Sequence, residues 1–235
     1  MLLHSEQGSN FHSLYLRSDG TLKWDDVIGG SDVQLNKITN QVFRDFSAWY
    51  HLLLVVDTTQ STATDRNKMY VNGVQATFAS GNDYALNDIS QYNHGSSFTH
   101  YFGQSINCYL ADVHFLDGIA ASPSDLGETD SSGIWQPKAY SGSYGTNGFH
   151  LKFADNSSDA ALGTDSSGNS NTWTVNNLTA STGDTTPGQH FTAVTYTGNG
   201  GTQQIGGPVY SNSSDSSMTS ACLLYTSPSP RDNGR

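Results

Sequence analysis

The chain has 235 residues and a formal net charge of −11, with 10 Lys and Arg set against 21 Asp and Glu. Charged residues make up 13% of it, against about 25% in an average soluble domain, and Gly, Ser, Thr, Asn and Asp dominate the remainder. The acidic balance argues against nucleic acid as a partner, two cysteines are too few for a disulfide framework, and no apolar run approaches the roughly 18 residues of a membrane helix.

From the N-terminus, Leu14 and Leu16 alternate with Tyr15 and Arg17, Ser18-Asp19-Gly20 turns the chain, and Leu22 and Trp24 alternate with Lys23 and Asp25. This predicts a hairpin with one buried face, ended by Gly29-Gly30. The run 49–56 is apolar on both faces, which predicts a central strand. Lys68–Val71 and Val74–Phe78 flank Asn72-Gly73. That dipeptide tolerates positive φ at both positions, as a two-residue hairpin requires. Residues 80–105 are polar and aromatic and read as a long loop with one strand. Tyr109, Ala111, Val113 and Phe115 form the apolar face of the next strand. Ser122-Pro123 reads as an N-cap with proline at the first helical position, opening a short turn that ends near Gly127. Phe149, Leu151 and Phe153 predict another strand, Trp173 and Val175 a further one, and 191–197 a last.

Trp49-Tyr50-His51 before an apolar strand, followed by Met69-Tyr70-Val71-Asn72-Gly73, resembles the core signature of laminin-G-like jelly rolls. The run Tyr109–Phe115 resembles their closing strand, and Ala120-Ala121-Ser122-Pro123 the helical turn after it. Phe149–Phe153 with Asp165–Asn169 resembles the opening of another such module. The expected fold class is therefore an all-β, antiparallel jelly-roll sandwich of the concanavalin A-like type. Residues 1–128 would form the sandwich, with its opening strands clipped, and 129–148 a Gly/Ser/Tyr-rich connector. Residues 149–197 would complete the sandwich or start a second module, and 198–221 would be flexible or cut short. Residues 222–235 resemble the translation of a transposase-insertion sequencing adapter. Sequencing an independent clone across 221/222 tests that reading, which fails if the peptide persists.

Overall the chain is similar to segments of environmental phage tail or tail-fibre proteins. The resemblance implies a module that binds the surface glycans of a host cell beside other virion proteins, as a virion or extracellular component. A homo-oligomer is compatible with it. No signal peptide is visible, and lysis would release a virion protein without one. The alternatives are a structural spacer without a ligand and, less favoured, a glycan-cleaving enzyme.

Three constellations bear on chemistry. Asp83, Tyr84, Tyr92, Asn93 and His94 supply rings for stacking on pyranose faces and polar groups for sugar hydroxyls, on the kind of long loop that carries function. Core or rim packing is the alternative for these aromatics. Asp155, Asn156, Asp159, Asp165 and Asn169 offer oxygen donors to Ca2+, the candidate cofactor. Turn formation is the favoured reading of that loop, because no strict ligand spacing is present. Asp112-x-His114-x-x-Asp117 has the spacing of the carboxylates of some glucanases of this fold. A histidine stands at the centre, however, and Asp117 falls on the opposite strand face, so no catalytic residues are expected. The eight histidines show no metal-ligand spacing, and a zinc site is not expected.

Overall fold

Among the described residues almost every regular element is a β-strand, and every strand pairing is antiparallel. The computed structural model describes residues 1–45, 48–90, 98–103, 110–176, 178–180, 194–198 and 201–205, the last three stretches as backbone only. The result is an all-β sandwich, and the chain divides by internal contacts into two units. One comprises Met1–Phe46 with Leu52–Ile106, the other Ser47–His51 with Asn107–Arg235.

Among its described residues the first unit holds nine strands: β1 (Leu3–Gln7), β2 (Asn10–Leu16), β3 (Thr21–Ile28), β4 (Asp32–Val42), β5 (Leu52–Val56), β6 (Asn67–Val71), β7 (Val74–Gln75), β8 (Phe78–Ser80) and β9 (Thr99–Phe102). Six of them form one sheet in the order β8-β4-β3-β2-β1-β9, and β5-β6-β7 form a second. The expected hairpin at Ser18-Asp19-Gly20 joins β2 to β3. Gly20 takes φ +81°, and the Asp19 carboxylate accepts Thr21 N–H at 3.0 Å and its hydroxyl at 2.6 Å. Asn72 and Gly73 both adopt positive φ, 48° and 77°, and close β6 onto β7 in the register Val71↔Val74.

The strand expected over Val74–Phe78 divides in two. Ala76 N–H still donates to Met69 O, whereas Asn40 N–H bonds Thr77 O, so the chain passes from one sheet to the other at 76–77. The central strand expected at 49–56 begins at Leu52 and bonds only β6 among the described strands. Its last residue, Val56, is exposed. An apolar run alone cannot distinguish an edge strand from a central one.

Period-2 alternation sends one set of side chains inward. Cross-strand rows place Leu3, Leu14, Trp24 and Lys37 on one face, with Ser5, His12, Asp26 and Leu35 in the next row of that face. Trp24 is wholly buried and its indole N–H donates to His12 Nε2 at 2.6 Å, satisfying the one polar atom of a large apolar side chain. Trp49, which opens the expected strand 49–56, is half-buried. Lys37, Leu35 and Thr39 of β4 are also buried. The Lys37 ammonium pairs with Asp83 at 2.8 Å, as a buried charge must.

The second unit contains β10 (Val113–Phe115), α1 (Pro123–Leu126), β11 (Gly127–Thr129), β12 (Trp135–Pro137), β13 (Phe149–Leu151), β14 (Leu178–Ala180), β15 (Val194–Gly198) and β16 (Gly201–Ile205). The helical turn opens as expected: the Asp125 carboxylate accepts both Ser122 N–H at 2.7 Å and Ser122 Oγ–H at 2.8 Å. The expected connector holds β12, paired with β11. Asp130 builds this hairpin by accepting Ser132 and Ile134 N–H at 2.8 and 2.9 Å. Strand β13 pairs with β10.

Trp173 and Val175 are not in a strand. Trp173 N–H bonds Gly163 O, and its ring lies edge-on to Phe149 at 5.0 Å, so this residue packs rather than pairs. Part of the stretch expected to lack structure forms β16, paired with β15. Cys108, Cys222 and the adapter-like residues lie outside the described residues.

Candidate functional site

The outward face of the six-stranded sheet carries the row Tyr15, Lys23, Ile38 and Ser80, one residue from each of β2, β3, β4 and β8. Together with Arg17, Asn36, Gly81 and Asn82 these residues line an open cavity of about 470 Å³. Gly81 is required there. Its φ is +131°, and a Cβ would lie 1.3 Å from Asn36 O, so only glycine lets the backbone after β8 run against β4.

Both cations of the cavity are held by carboxylates. Arg17 reaches Asp19 at 2.8 Å and Lys23 reaches Asp25 at 2.9 Å. The Lys23 ammonium stands 5.8 Å from the centre of the Tyr15 ring. Burial alone would lower the Lys23 pKa, but Asp25 outweighs it and the net shift is upward. Asp25 is buried and its Oδ1 has no hydrogen-bond partner. The cavity thus offers an aromatic ring, amides and neutralised ion pairs on a predominantly polar wall.

The loop residues expected to bind sugar are placed differently. Tyr84 is fully buried and has no ring face to offer a pyranose. Its hydroxyl donates to Asp26 Oδ2 at 2.6 Å, and Ser90 Oγ donates to the same oxygen at 3.0 Å. Burial, then the Asp26 charge, pushes the Tyr84 pKa well up. Asp83 joins sheet to sheet: one of its oxygens takes both Lys37 and the Asn67 amide, the latter at 3.0 Å. Tyr92, Asn93 and His94 lie outside the described residues.

The loop whose residues are candidate Ca2+ donors uses its side chains as turn acceptors. Asp165 Oδ1 accepts His150 N–H and Ser167 N–H, both at 2.8 Å, and Oδ2 accepts Ser167 Oγ–H at 2.8 Å and Asn171 N–H at 2.9 Å. Burial raises its pKa, but the backbone N–H groups outweigh it and the net shift is downward. Asp155 accepts Ser157 N–H at 3.0 Å. Asn169 donates to Gly145 O and Gly148 O at 2.6 and 2.9 Å. Asn156 lies near Asp155 in the chain, and Asp159 precedes the 3-10 turn Ala160–Gly163. No three carboxylates of this loop bring their oxygens together.

In the second unit the structure assembles a group that spacing did not reveal. No family model, curated protein or solved structure matches this chain. The antiparallel register of β10 and β13 sets His114 opposite His150, with rings stacked 3.9 Å apart at 21°. Asp112 lies just before β10, and its φ of +53° puts it in the left-handed region that Asp tolerates better than most residues. Its Oδ1 is 2.5 Å from His150 Nε2 and its Oδ2 is 3.5 Å from His114 Nε2. His114 Nδ1 is 2.9 Å from the Tyr144 hydroxyl, whose pKa burial and then Asp112 push up to about 12.

Burial opposes ionisation of Asp112, but hydrogen bonds from His114 and His150 outweigh it and hold the carboxyl well below the usual range. Burial lowers the His114 pKa, and His150 adds to this against the pull of Asp112. Asp117, the third residue of the glucanase-like spacing, points elsewhere: its Oδ2 accepts Asn147 N–H at 3.0 Å and the Asn147 amide at 2.8 Å. No described helix is long and apolar enough to cross a membrane.

Proposed function

We propose that the chain is a non-catalytic, carbohydrate-binding jelly roll of the laminin-G/concanavalin A-like type, carried on a phage tail or fibre and used to adhere to a host surface. The observation that carries this reading is the cavity on the outward sheet face, where Tyr15 offers a ring and Asn36 and Asn82 offer amides beside two neutralised ion pairs. A pyranose presents an apolar face to an aromatic ring and a rim of hydroxyls to amides and carboxylates, and this wall has both. Placement in a virion rests on the resemblance of Trp49–His51 and Met69–Gly73 to laminin-G-like segments of phage proteins, and genes for virion proteins beside this one are expected.

A glycan array probed with the full chain and with Tyr15→Ala tests the binding claim. Binding by the full chain, weakened about tenfold or more by the substitution, is expected. A folded chain that binds no glycan would move the assignment to a structural spacer, and binding undiminished without the Tyr15 ring would place the sugar site away from this cavity.

A further inference from the structure

We propose that Asp112, His114 and His150 form a binding site for one divalent first-row transition metal ion of the Zn2+ class. The site is separate from the sheet-face cavity and independent of the carbohydrate reading. Each of the three residues has a ligating atom within 4.8 Å of those of the other two. Both Nε2 atoms lie within 3.5 Å of the one Asp112 carboxylate, so a small shift of three side chains opens a position bounded by two imidazole nitrogens and an oxygen. Two imidazoles select Zn2+, Cu2+, Ni2+ or Co2+ over Ca2+ and Mg2+, which favour all-oxygen sites. Three protein ligands leave a fourth position for water or another donor. His114 and His150 are largely buried, whereas Asp112 keeps 33% of its side-chain surface open, which supplies a route in from solvent.

The surroundings are those of ligands held in place. The Tyr144 hydroxyl engages His114 Nδ1 and leaves Nε2 directed at the carboxylate. Such an outer partner sets the tautomer and the ring orientation of a metal-binding histidine. Asp165, one of the candidate Ca2+ donors, takes the backbone N–H of His150 and fixes that strand position. The left-handed backbone at Asp112 brings its carboxylate onto both rings, although the residue precedes the strand. The same contacts could also form a metal-free network in which two imidazoles donate to one carboxylate, and titration separates the two.

The full chain, stripped with chelator, is titrated with Zn2+ by calorimetry and with Co2+ by visible absorption. One equivalent is expected to bind with micromolar affinity or better, undisturbed by millimolar Ca2+. His114→Gln and His150→Gln are each expected to weaken binding at least about a hundredfold, and Tyr144→Phe about tenfold. His12→Gln, which lies in the other unit, is expected to leave it unchanged. Saturable binding absent from a chain with the circular dichroism of a folded β protein would overturn the proposal, as would affinity unchanged in His150→Gln. Should the substituted chains fail to fold, proton NMR of the native chain with Co2+ decides. Paramagnetic shifts on the His114 and His150 rings support the site, and shifts confined to other histidines overturn it.

Discussion

Asp112 shows how much one residue's backbone can decide. A non-glycine residue at positive φ costs on the order of 1 kcal/mol, and here the conformation delivers a carboxylate to two stacked imidazoles. Nothing in the sequence around Asp112 announces this, because His150 is brought in from a distant strand by register alone.

His12 shows burial acting on a histidine. Removal from water, with lesser repulsion from His4 and His100, lowers its pKa to about 3, and the neutral ring accepts the Trp24 indole N–H. Between about pH 6.5 and pH 3 the unfolded chain therefore binds a proton that the folded chain does not. This contribution to stability is full above pH 6.5 and is lost as pH falls toward 3. Burial lowers His51 in the same direction, to about 4. Urea unfolding from pH 7 to pH 4 is expected to show a loss on the order of a few kcal/mol, with a visibly shallower slope in His12→Gln. An identical slope in that variant would contradict the burial argument. Tyr84→Phe, measured at pH 7, is expected to cost about 1–3 kcal/mol because the buried Asp26 carboxylate loses a donor.

At the scale of elements, turn chemistry was the most legible part of the chain. Ser18-Asp19-Gly20, Asn72-Gly73 and Ser122-Pro123 each name a local conformation that few other residues can adopt, and each forms where expected. Gly73→Val is accordingly expected to lower the unfolding free energy by about 1–2 kcal/mol and to leave metal and glycan binding untouched. Strand β4 was not legible, although at eleven residues it is the longest described strand. Its inward positions alternate Leu35, Lys37 and Thr39, and only the first reads as core. Lys37 is admitted inside because Asp83, distant in sequence, neutralises it. The same tertiary pairing removes Asp83 from the sugar-binding role its loop suggested. Tyr84 is lost to that role because periodicity cannot tell a loop aromatic that plugs a core from one that faces solvent. The His114–His150 pair was invisible for a related reason: metal-ligand spacing is a local signal, and these ligands meet through strand register.

For the whole molecule, a net charge of −11 and a cavity whose cations are already matched by Asp19 and Asp25 make neutral rather than anionic sugars the ligands to test for the proposed function. A matched pair presents little net field to a ligand, and screening by salt changes it little. Affinity for the tightest glycan is therefore expected to vary less than about threefold between 50 mM and 500 mM NaCl, where binding steered by an unpaired cation would fall steeply.

The claim that the outward face of the six-stranded sheet is the ligand surface is tested most directly by a two-dimensional amide NMR titration of the intact chain with that glycan. Saturable shifts centred on residues 15, 23, 36 and 82 are predicted. Shifts centred on residues outside that sheet face, or none at ligand concentrations that saturate the array, would contradict it.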